Sequence, residues 1–84
     1  MHESEVADVL RKYLTERILD ASNVEIEPDT PLLEWGILNS LTTTRLVGFV
    51  REQYGIEIPV EEMVGENFKN LLNISRLVVR LSGE

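Results

Sequence analysis

Apolar side chains recur at helical spacing in three stretches of the chain, residues 4–19, 40–54 and 69–82. Spacings of three and four residues place such side chains on one face of a helix. The repeating positions are Val6, Val9, Leu10, Tyr13 and Leu14, then Leu46, Val47, Val50 and Tyr54, and finally Leu71, Leu72, Ile74, Leu77, Val78 and Leu81, with Phe68 just before the last set. A shorter helical segment fits residues 60–64, between Pro59 and Gly65. We therefore predict an all-α fold, a small bundle of three main helices plus one short helix.

Residues with strong capping preferences mark the expected helix ends. Ser4 is a candidate N-cap for the first helix, and Asn39 is one for the second. Gly55 follows the second helix, where a glycine commonly ends a helix in the left-handed conformation. The threonines at 42–44 are mediocre helix formers, so we expect tertiary contacts to support the second helix.

A long connection, residues 20–39, separates the first and second helices. Residues 24–27 alternate apolar and acidic side chains, which is briefly strand-like, and Pro28 and Pro31 stop any regular element. Loops of this length are often functional. Its last part is too apolar for a free loop and is expected to lie across the core. The apolar residues concerned are Leu32, Leu33, Trp35 and Ile37.

Composition and charge narrow the function. The 84 residues suit one domain, 1–84, with about residues 5–82 ordered. The net charge of −7, from 8 basic against 15 acidic residues, disfavours nucleic-acid binding. The absence of cysteine excludes a disulfide framework and a thiolate metal site. No apolar run approaches a membrane span and the start lacks a signal-peptide pattern, so we expect a cytoplasmic protein without a membrane partner.

Catalysis by this chain alone is not expected. His2 is its single histidine and lies near the terminus, so Ser40 has no evident general base and a hydrolase would lack its triad. Glu25, Glu27 and Asp29 have the alternate spacing that opens a calcium loop. The glycine and closing glutamate of such a loop do not follow, which favours a solvated acidic loop.

The most informative residue is Ser40, at the predicted first turn of the second helix after a glycine-containing loop. Unpaired backbone N–H groups and the positive helix end favour an anion there, and a phosphodiester on Ser40 would suit that environment. The alternative interpretation is that Ser40 is an ordinary first-turn residue that helps Asn39 to cap the helix.

The surrounding sequence resembles a known attachment motif. Gly36-x-x-Asn39-Ser40-Leu41, preceded by residues 31–33, is similar to the Gly-x-x-Asp-Ser-Leu motif of acyl carrier and peptidyl carrier proteins. Residues 54–59 look like the segment after that family's second helix, and residues 66–68 like the lead into its last helix. The resemblance covers about residues 5–82.

This resemblance implies a carrier and not an enzyme. A separate phosphopantetheinyl transferase, using coenzyme A and magnesium, would attach 4′-phosphopantetheine to Ser40, with Asn39 and Leu41 flanking it. The thiol of this arm would carry an acyl or aminoacyl group as a thioester. An acyl- or aminoacyl-loading enzyme would supply the cargo and a downstream synthase or transferase would take it. The resemblance also implies a monomer.

Two departures from the family pattern affect the expected partners. Asn39 replaces the usual Asp, which should preserve the cap but removes a negative charge beside Ser40 and could weaken recognition by the transferase. Arg45 and Arg51 lie on the outward face of the second helix, opposed only by Glu52, where fatty-acid-type carriers are acidic. We therefore expect a stand-alone carrier of secondary metabolism, of the polyketide or nonribosomal peptide type.

The predicted partner face centres on this outward side of the second helix. Its residues are Leu41, Thr44, Arg45, Gly48, Arg51 and Glu52, with Trp35 from the preceding loop. Alternatively, the arginines are merely solvated or paired with Glu52 or Glu34. Val47 and Phe49 could line a groove for an acyl chain, but plain packing is favoured. The rival to a carrier is an acidic helical interaction module of the same fold that holds no arm.

Overall fold

The computed structural model describes residues 2–19 and 25–83, and these residues form helices, turns and loops without any strand. The first helix, α1, continues directly into a π-helical segment, and two 3₁₀ turns precede the last helix. In chain order the elements are α1 (Glu3–Tyr13), the π segment (Leu14–Ile18), α2 (Ser40–Tyr54), the first 3₁₀ turn (Val60–Glu62), the second 3₁₀ turn (Gly65–Phe68) and α3 (Leu71–Leu81). The predicted all-α bundle is confirmed.

One hydrophobic core joins the helices and the long connection. α1 packs mainly against α3, and α2 contributes Leu46 and Val50 to the same core. Fully buried apolar side chains come from the three α-helices, the π segment and the long connection, namely Val6, Leu10, Leu14, Leu32, Leu38, Leu46, Val50, Leu71, Ile74, Leu77 and Val78. Aliphatic side chains therefore do nearly all the packing, as expected of a chain with few aromatic residues. Within the described ranges, no helix combines the length and apolar character that a bilayer crossing needs.

The start of α1 differs from the prediction. The helix begins at Glu3, with His2 at the N-cap position and no side-chain cap, so Ser4 is not the cap. Two acidic residues in the first turn, Glu3 and Glu5, interact favourably with the helix dipole. Arg76 of α3 also lies 3.6 Å from the Glu3 carboxylate, which holds the first residue of the helix against its neighbour.

The C-terminal boundaries are also corrected. The short helix covers only residues 60–62, and Gly65, predicted to stop it, instead begins the second 3₁₀ turn. α3 starts at residue 71 and not at 69, because the Asn70 side chain caps it by accepting a hydrogen bond from the Asn73 N–H at 2.9 Å. Leu72, assigned to the apolar face, is 38% exposed. Phe68 is buried before α3, as predicted.

The connection before α2 is only partly on the core. Residues 20–24 lie outside the described residues, and residues 25–27 form no strand, although Ile26 is buried. Leu32 and Ile37 lie in the core as predicted, but Leu33 is 39% exposed and Trp35 59% exposed. The chain turns sharply here, with the Trp35 N–H bonded to the Pro31 carbonyl at 3.0 Å. The turn directs Leu33 and Trp35 outward, which sequence periodicity does not reveal.

Ser75 is the polar side chain that the core of α3 accommodates least well. It is 0% exposed, and its Oγ has no hydrogen-bond partner among the described residues. A buried hydroxyl without a partner loses its hydration without compensation, at a cost of about 1–3 kcal/mol. Ser75 therefore destabilises the native state relative to a small apolar residue.

Replacement of Ser75 by alanine should raise the free energy of unfolding by about 1 kcal/mol, because the unpaired hydroxyl disappears and the helix propensity improves. Urea denaturation followed by circular dichroism measures this change. Ser4→Ala is the control, since Ser4 is an exposed serine in α1 and shares only the propensity gain. A loss of stability in Ser75→Ala contradicts the prediction.

Glu62 ties the first 3₁₀ turn to α3. Its carboxylate receives two hydrogen bonds from the Arg80 guanidinium, at 3.0 and 3.1 Å, and one from the Asn67 amide at 3.0 Å. The hydrogen bonds from Arg80 are the main reason that the pKa of Glu62 is lowered from its ordinary value of 4.5. A lowered folded-state pKa means that the contact stabilises the fold above pH 4.5 and is lost as the pH falls through the lower folded value.

Glu62→Gln should therefore make the acid loss of stability shallower between about pH 5 and pH 3. Thermal melts across this range measure the effect, and Arg80→Gln should reproduce it because it removes the same partner. Glu61→Gln is the matched control, since Glu61 is exposed and shares no ion pair among the described residues. Equal pH profiles for wild type and Glu62→Gln would rule out this contribution.

Candidate functional site

The loop before α2 reverses the chain at Gly36. This glycine has φ of 74°, a conformation that a side chain at this position would strain. Its N–H donates to the Leu33 carbonyl at 3.2 Å, and the N–H of Leu38 donates to the Leu32 carbonyl at 3.1 Å. Leu32 and Leu38 are both buried, so the turn is anchored in the core at both ends. The glycine of the motif therefore has a structural role in presenting the helix that follows.

Backbone hydrogen bonds fix the same loop to the start of α3. The Leu32 N–H donates to the Lys69 carbonyl at 2.9 Å, and the Leu72 N–H donates to the Pro28 carbonyl at 3.2 Å. Earlier in the loop, the buried Thr30 hydroxyl accepts from the Glu27 N–H at 2.7 Å. Because these hydrogen bonds join distant parts of the chain, they hold the loop that leads into the N-terminus of α2 against the start of α3.

Asn39 caps α2, as predicted, and Thr42 completes the cap. The Thr42 N–H donates to Asn39 Oδ1 at 3.0 Å, and the Asn39 N–H donates to Thr42 Oγ1 at 2.8 Å. The Thr42 hydroxyl also donates to the Ile37 carbonyl at 3.0 Å. This reciprocal arrangement is a capping box, with threonine in the place usually taken by Glu or Gln. Sequence reasoning missed this role, although the spacing Asn-x-x-Thr was its signal.

Ser40 is the first residue of α2 and is exposed. No hydrogen bond among the described residues uses its Oγ, so the alternative that Ser40 helps to cap the helix is wrong; Thr42 does so. As first-turn residues, Ser40 and Leu41 have N–H groups without an intrahelical acceptor. The Ser40 hydroxyl is thus free and accessible beside unpaired donors at the positive end of a 15-residue helix.

The surroundings of Ser40 suit an attached anion better than catalysis. The first turn of α2 contains no acidic residue, and Asn39 is neutral, so no nearby carboxylate within that turn opposes a phosphodiester. Among the described residues, no cluster of His, Cys, Asp or Glu could hold a metal ion. The arrangement presents a hydroxyl that another enzyme can reach and offers the donors that a bound phosphodiester prefers.

The predicted partner residues on α2 are all exposed and share its outward side. They are Leu41, Thr44, Arg45, Gly48, Arg51 and Glu52. The Thr44 hydroxyl donates to the Ser40 backbone carbonyl at 2.8 Å and not to Ser40 Oγ. Trp35 is exposed in the turn before α2.

The alternative that the arginines pair with Glu52 or Glu34 is wrong. Arg51 lies 3.7 Å from Glu57, beyond the Gly55 turn, and pairs with neither Glu52 nor Glu34. Arg45 takes part in no ion pair among the described residues. Gly55 itself ends α2 as predicted, with φ of 68° and its N–H bonded to the Arg51 carbonyl at 2.9 Å. The left-handed turn brings Glu57 back toward the helix, so this pairing follows from the cap geometry.

Val47 and Phe49 are partly buried against the core. The Phe49 ring stacks on Tyr13 of α1, with 4.2 Å between ring centroids and 17° between their planes. The Tyr13 hydroxyl donates to the Arg45 carbonyl at 3.3 Å. Phe49 therefore links α1 to α2, and this contact favours the packing interpretation over an acyl-chain groove.

Comparisons with known proteins find similarity over most of the chain. The family model described as a phosphopantetheine attachment site matches residues 8–78. The chain is 29% identical over 72 residues to a probable acyl carrier protein, PigG, of Serratia sp. (strain ATCC 39006), a match that spans 86% of this chain and 83% of the relative. A chain in a crystal structure of an FAD-dependent dehydrogenase superposes with a TM-score of 0.79 at 33% identity, covering 83% of this chain and 99% of the other.

The chain therefore belongs to the phosphopantetheine-binding carrier family. Its family match extends from α1 through α3 and includes the whole of α2. Members of this family are carriers that bear covalent 4′-phosphopantetheine, and they are not themselves enzymes. The exposed hydroxyl and the unpaired donors at the start of α2 fit the phosphodiester of that group.

Removal of the Asn39 cap should weaken α2. Asn39→Ala eliminates the acceptor for the Thr42 N–H, and the free energy of unfolding should fall by about 1 kcal/mol. Asn39→Asp should retain the stability, because Asp caps equally well and its charge suits the helix dipole. Ser40→Ala is the adjacent control and should change stability by less than about 0.5 kcal/mol, since its Oγ makes no bond. Denaturation curves of the three variants decide between these outcomes.

Proposed function

We propose that residues 1–84 form a stand-alone carrier whose 4′-phosphopantetheine is attached to Ser40 and whose cargo is an acyl or aminoacyl group. The observation that carries this proposal is the free, exposed Ser40 hydroxyl at the N-terminus of α2, within a chain of the phosphopantetheine-binding family. Asn39 and Leu41 flank the attachment point. The arm, once attached, supplies the thiol that holds the cargo, a group that this chain lacks.

The attachment reaction needs little from this chain beyond presentation. Ser40 Oγ forms a bond to the phosphorus next to the pantetheine unit of coenzyme A, and the bond from that phosphorus to the departing adenosine 3′,5′-bisphosphate breaks. The transferase takes the hydroxyl proton. The backbone hydrogen bonds before α2 hold Ser40 in place, and the unpaired N–H groups of the first turn would be available to the new phosphodiester.

Asn39 provides the helix cap at this site without the negative charge that a transferase could recognise. Its side-chain oxygen makes the cap as Asp would, so the helix needs no carboxylate at this position. A transferase that reads a negative charge beside the serine would modify this chain more slowly than its Asn39→Asp variant. Wild-type modification by a dedicated transferase is consistent with this proposal.

The partner surface we propose is the exposed side of α2, with Trp35 as a neighbouring apolar contact. Arg45 and Arg51 give this side a positive character, which supports partners other than a generic fatty acid synthase and a role in polyketide or nonribosomal peptide biosynthesis. A monomer is the working state, because the loading enzyme and the downstream synthase or transferase need access to the same end of α2. Coenzyme A, the donor of the arm, supports a cytoplasmic location.

An FAD-dependent dehydrogenase is a further candidate among the downstream enzymes. The support is the solved chain that is 33% identical to this one, in a crystal structure of an FAD-dependent dehydrogenase. In such a reaction the carried acyl group would be oxidised and the flavin reduced, while this chain holds the substrate. Flavin bleaching on addition of the loaded carrier, but not of free amino acid or acyl-coenzyme A, tests this partner.

Incubation with coenzyme A, magnesium and a broad-specificity phosphopantetheinyl transferase should add the mass of one phosphopantetheinyl group to the wild-type chain. Ser40→Ala should gain none, while its circular dichroism stays unchanged, because the hydroxyl is the acceptor and stabilises nothing. Intact-protein mass spectrometry makes the measurement. Ser4→Ala is the matched control, since Ser4 is also an exposed serine in the first turn of a helix, and it should be fully modified.

The same experiment separates the carrier from its rival. Modification of Ser40→Ala would place the arm elsewhere. A wild-type chain that stays unmodified with every transferase, and also when isolated from its producing cells, supports the interaction module without an arm. Mass spectrometry of the native material additionally identifies the cargo.

A further inference from the structure

An open groove runs between α1, with its π segment, and the outward side of α2. The two helices approach each other here through the stacked rings of Tyr13 and Phe49 and the hydrogen bond from Tyr13 to the Arg45 carbonyl. α1 packs mainly against α3 and not against α2, so a groove remains beside the ring pair. Its lining includes residues of both helices over several turns.

The groove is cationic in a chain that is strongly acidic. Four of the chain's 8 basic residues line it, although the net charge is −7. These four are Lys12, Arg17, Arg45 and Arg51, and the carboxylates in the lining are those of Glu16 and Glu52. The lining thus has a local excess of positive charge, and half of all basic residues are concentrated in one place.

Most basic residues outside the groove are already paired with carboxylates. Arg11, Arg76 and Arg80, outside the groove, each pair with a carboxylate, at 3.5, 3.6 and 3.0 Å respectively. Of the basic residues, Lys12, Arg17, Arg45 and Lys69 take part in no ion pair among the described residues. Lys69 is the one of these four that lies outside the groove lining. The cations that remain available to a partner are therefore mostly in this groove.

The π segment contributes one of these cations. The Leu19 N–H bonds to the Leu14 carbonyl at 2.8 Å, five residues back, and Leu14 stays fully buried. Arg17 and Glu16 are exposed in the widened turn. π-helical turns are rare within helices and are frequent at functional sites. The widened turn ends α1 with its cation beside the groove and its leucine in the core.

We propose that this groove docks an acidic amphipathic helix of a partner enzyme, with acidic side chains against Lys12, Arg17 and Arg45 and an apolar side chain over the Tyr13–Phe49 ring pair. This inference rests on the carrier function and extends the partner surface from α2 onto α1. A helix fits because it can present acidic and apolar side chains together at three- and four-residue spacing. The lining also holds Glu16, Glu52 and the apolar ring pair, which suit a mixed acidic and apolar helix face better than a continuous run of phosphates.

The test uses a defined probe, a synthetic helical peptide with Glu and Leu on one face, and a copy with Gln in place of Glu. The acidic peptide should shift amide resonances of α1 and α2 around Tyr13 and Phe49 in ¹H–¹⁵N spectra of the full chain. The Gln copy should bind at least about tenfold more weakly, because several charge contacts are lost.

Matched variants locate the charge effect. Lys12→Gln/Arg17→Gln should weaken binding of the acidic peptide about tenfold, whereas Lys69→Gln/Arg76→Gln, with the same loss of charge outside the groove, should weaken it less than about twofold. The α1 variant should still accept 4′-phosphopantetheine at the wild-type rate. Failure of the wild-type chain to be modified would contradict the carrier function, whereas normal modification without groove binding overturns only this inference.

Other occupants give distinguishable results. Equal weakening by both double variants means that only net charge acts, and equal binding of both peptides means that acidity is irrelevant; either result overturns the proposal. Tighter binding of a short single-stranded oligonucleotide than of the acidic peptide would indicate a nucleic-acid groove instead. A dimer in sedimentation experiments that Lys12→Gln/Arg17→Gln dissociates would assign the groove to a second copy of this chain.

Discussion

The reciprocal hydrogen bonds between Asn39 and Thr42 are the interaction on which the site depends. They cap the helix without using Ser40, whose hydroxyl stays free at the helix end. The cap works only because the preceding loop arrives in the right direction. Gly36 reverses the chain, and the backbone bond from Leu32 to Lys69 fixes the loop to the start of α3. A local cap and a long-range anchor thus combine to present one hydroxyl.

The same arrangement explains how this small chain tolerates a neutral residue beside its proposed attachment point. Capping needs a side-chain oxygen, which Asn39 provides, and the charge of the family's usual Asp adds only a modest dipole interaction. Stability and recognition are therefore separable at this position. The threonines that start α2 contribute to this separation, since Thr42 and Thr44 use their hydroxyls on the Ile37 and Ser40 carbonyls. Although threonines have low helix propensity, side-chain hydrogen bonds stabilise the start of α2.

The sequence predicted the features that depend on residues close together in the chain. It missed the features that depend on turns and on contacts between separate segments. The bounds of α2 follow from Asn39 and Gly55, and the buried stripes follow from helical periodicity. The start of α3 was placed two residues early because Asn70 was not recognised as its cap. The exposure of Trp35 depends on a turn, and the pairing of Arg51 with Glu57 depends on the chain reversal at Gly55. The π segment could not be recognised from the spacing of apolar residues, because Leu14 is buried there just as it would be in a regular α-helix.

Because α2 carries both Ser40 and one wall of the cationic groove, the proposed docking site and the proposed attachment point have a fixed geometric relation. Phe49 lies nine residues after Ser40, and at 1.5 Å per residue the ring pair is about 14 Å along the helix axis from this proposed attachment point. A partner held in the groove would therefore have its active site at a fixed distance and direction from the arm. The capped, anchored N-terminus of α2 maintains this distance, whereas a frayed first turn would not. With a rigid first turn in α2, a partner bound by charge at the groove would hold its active site in a defined position relative to an arm on Ser40.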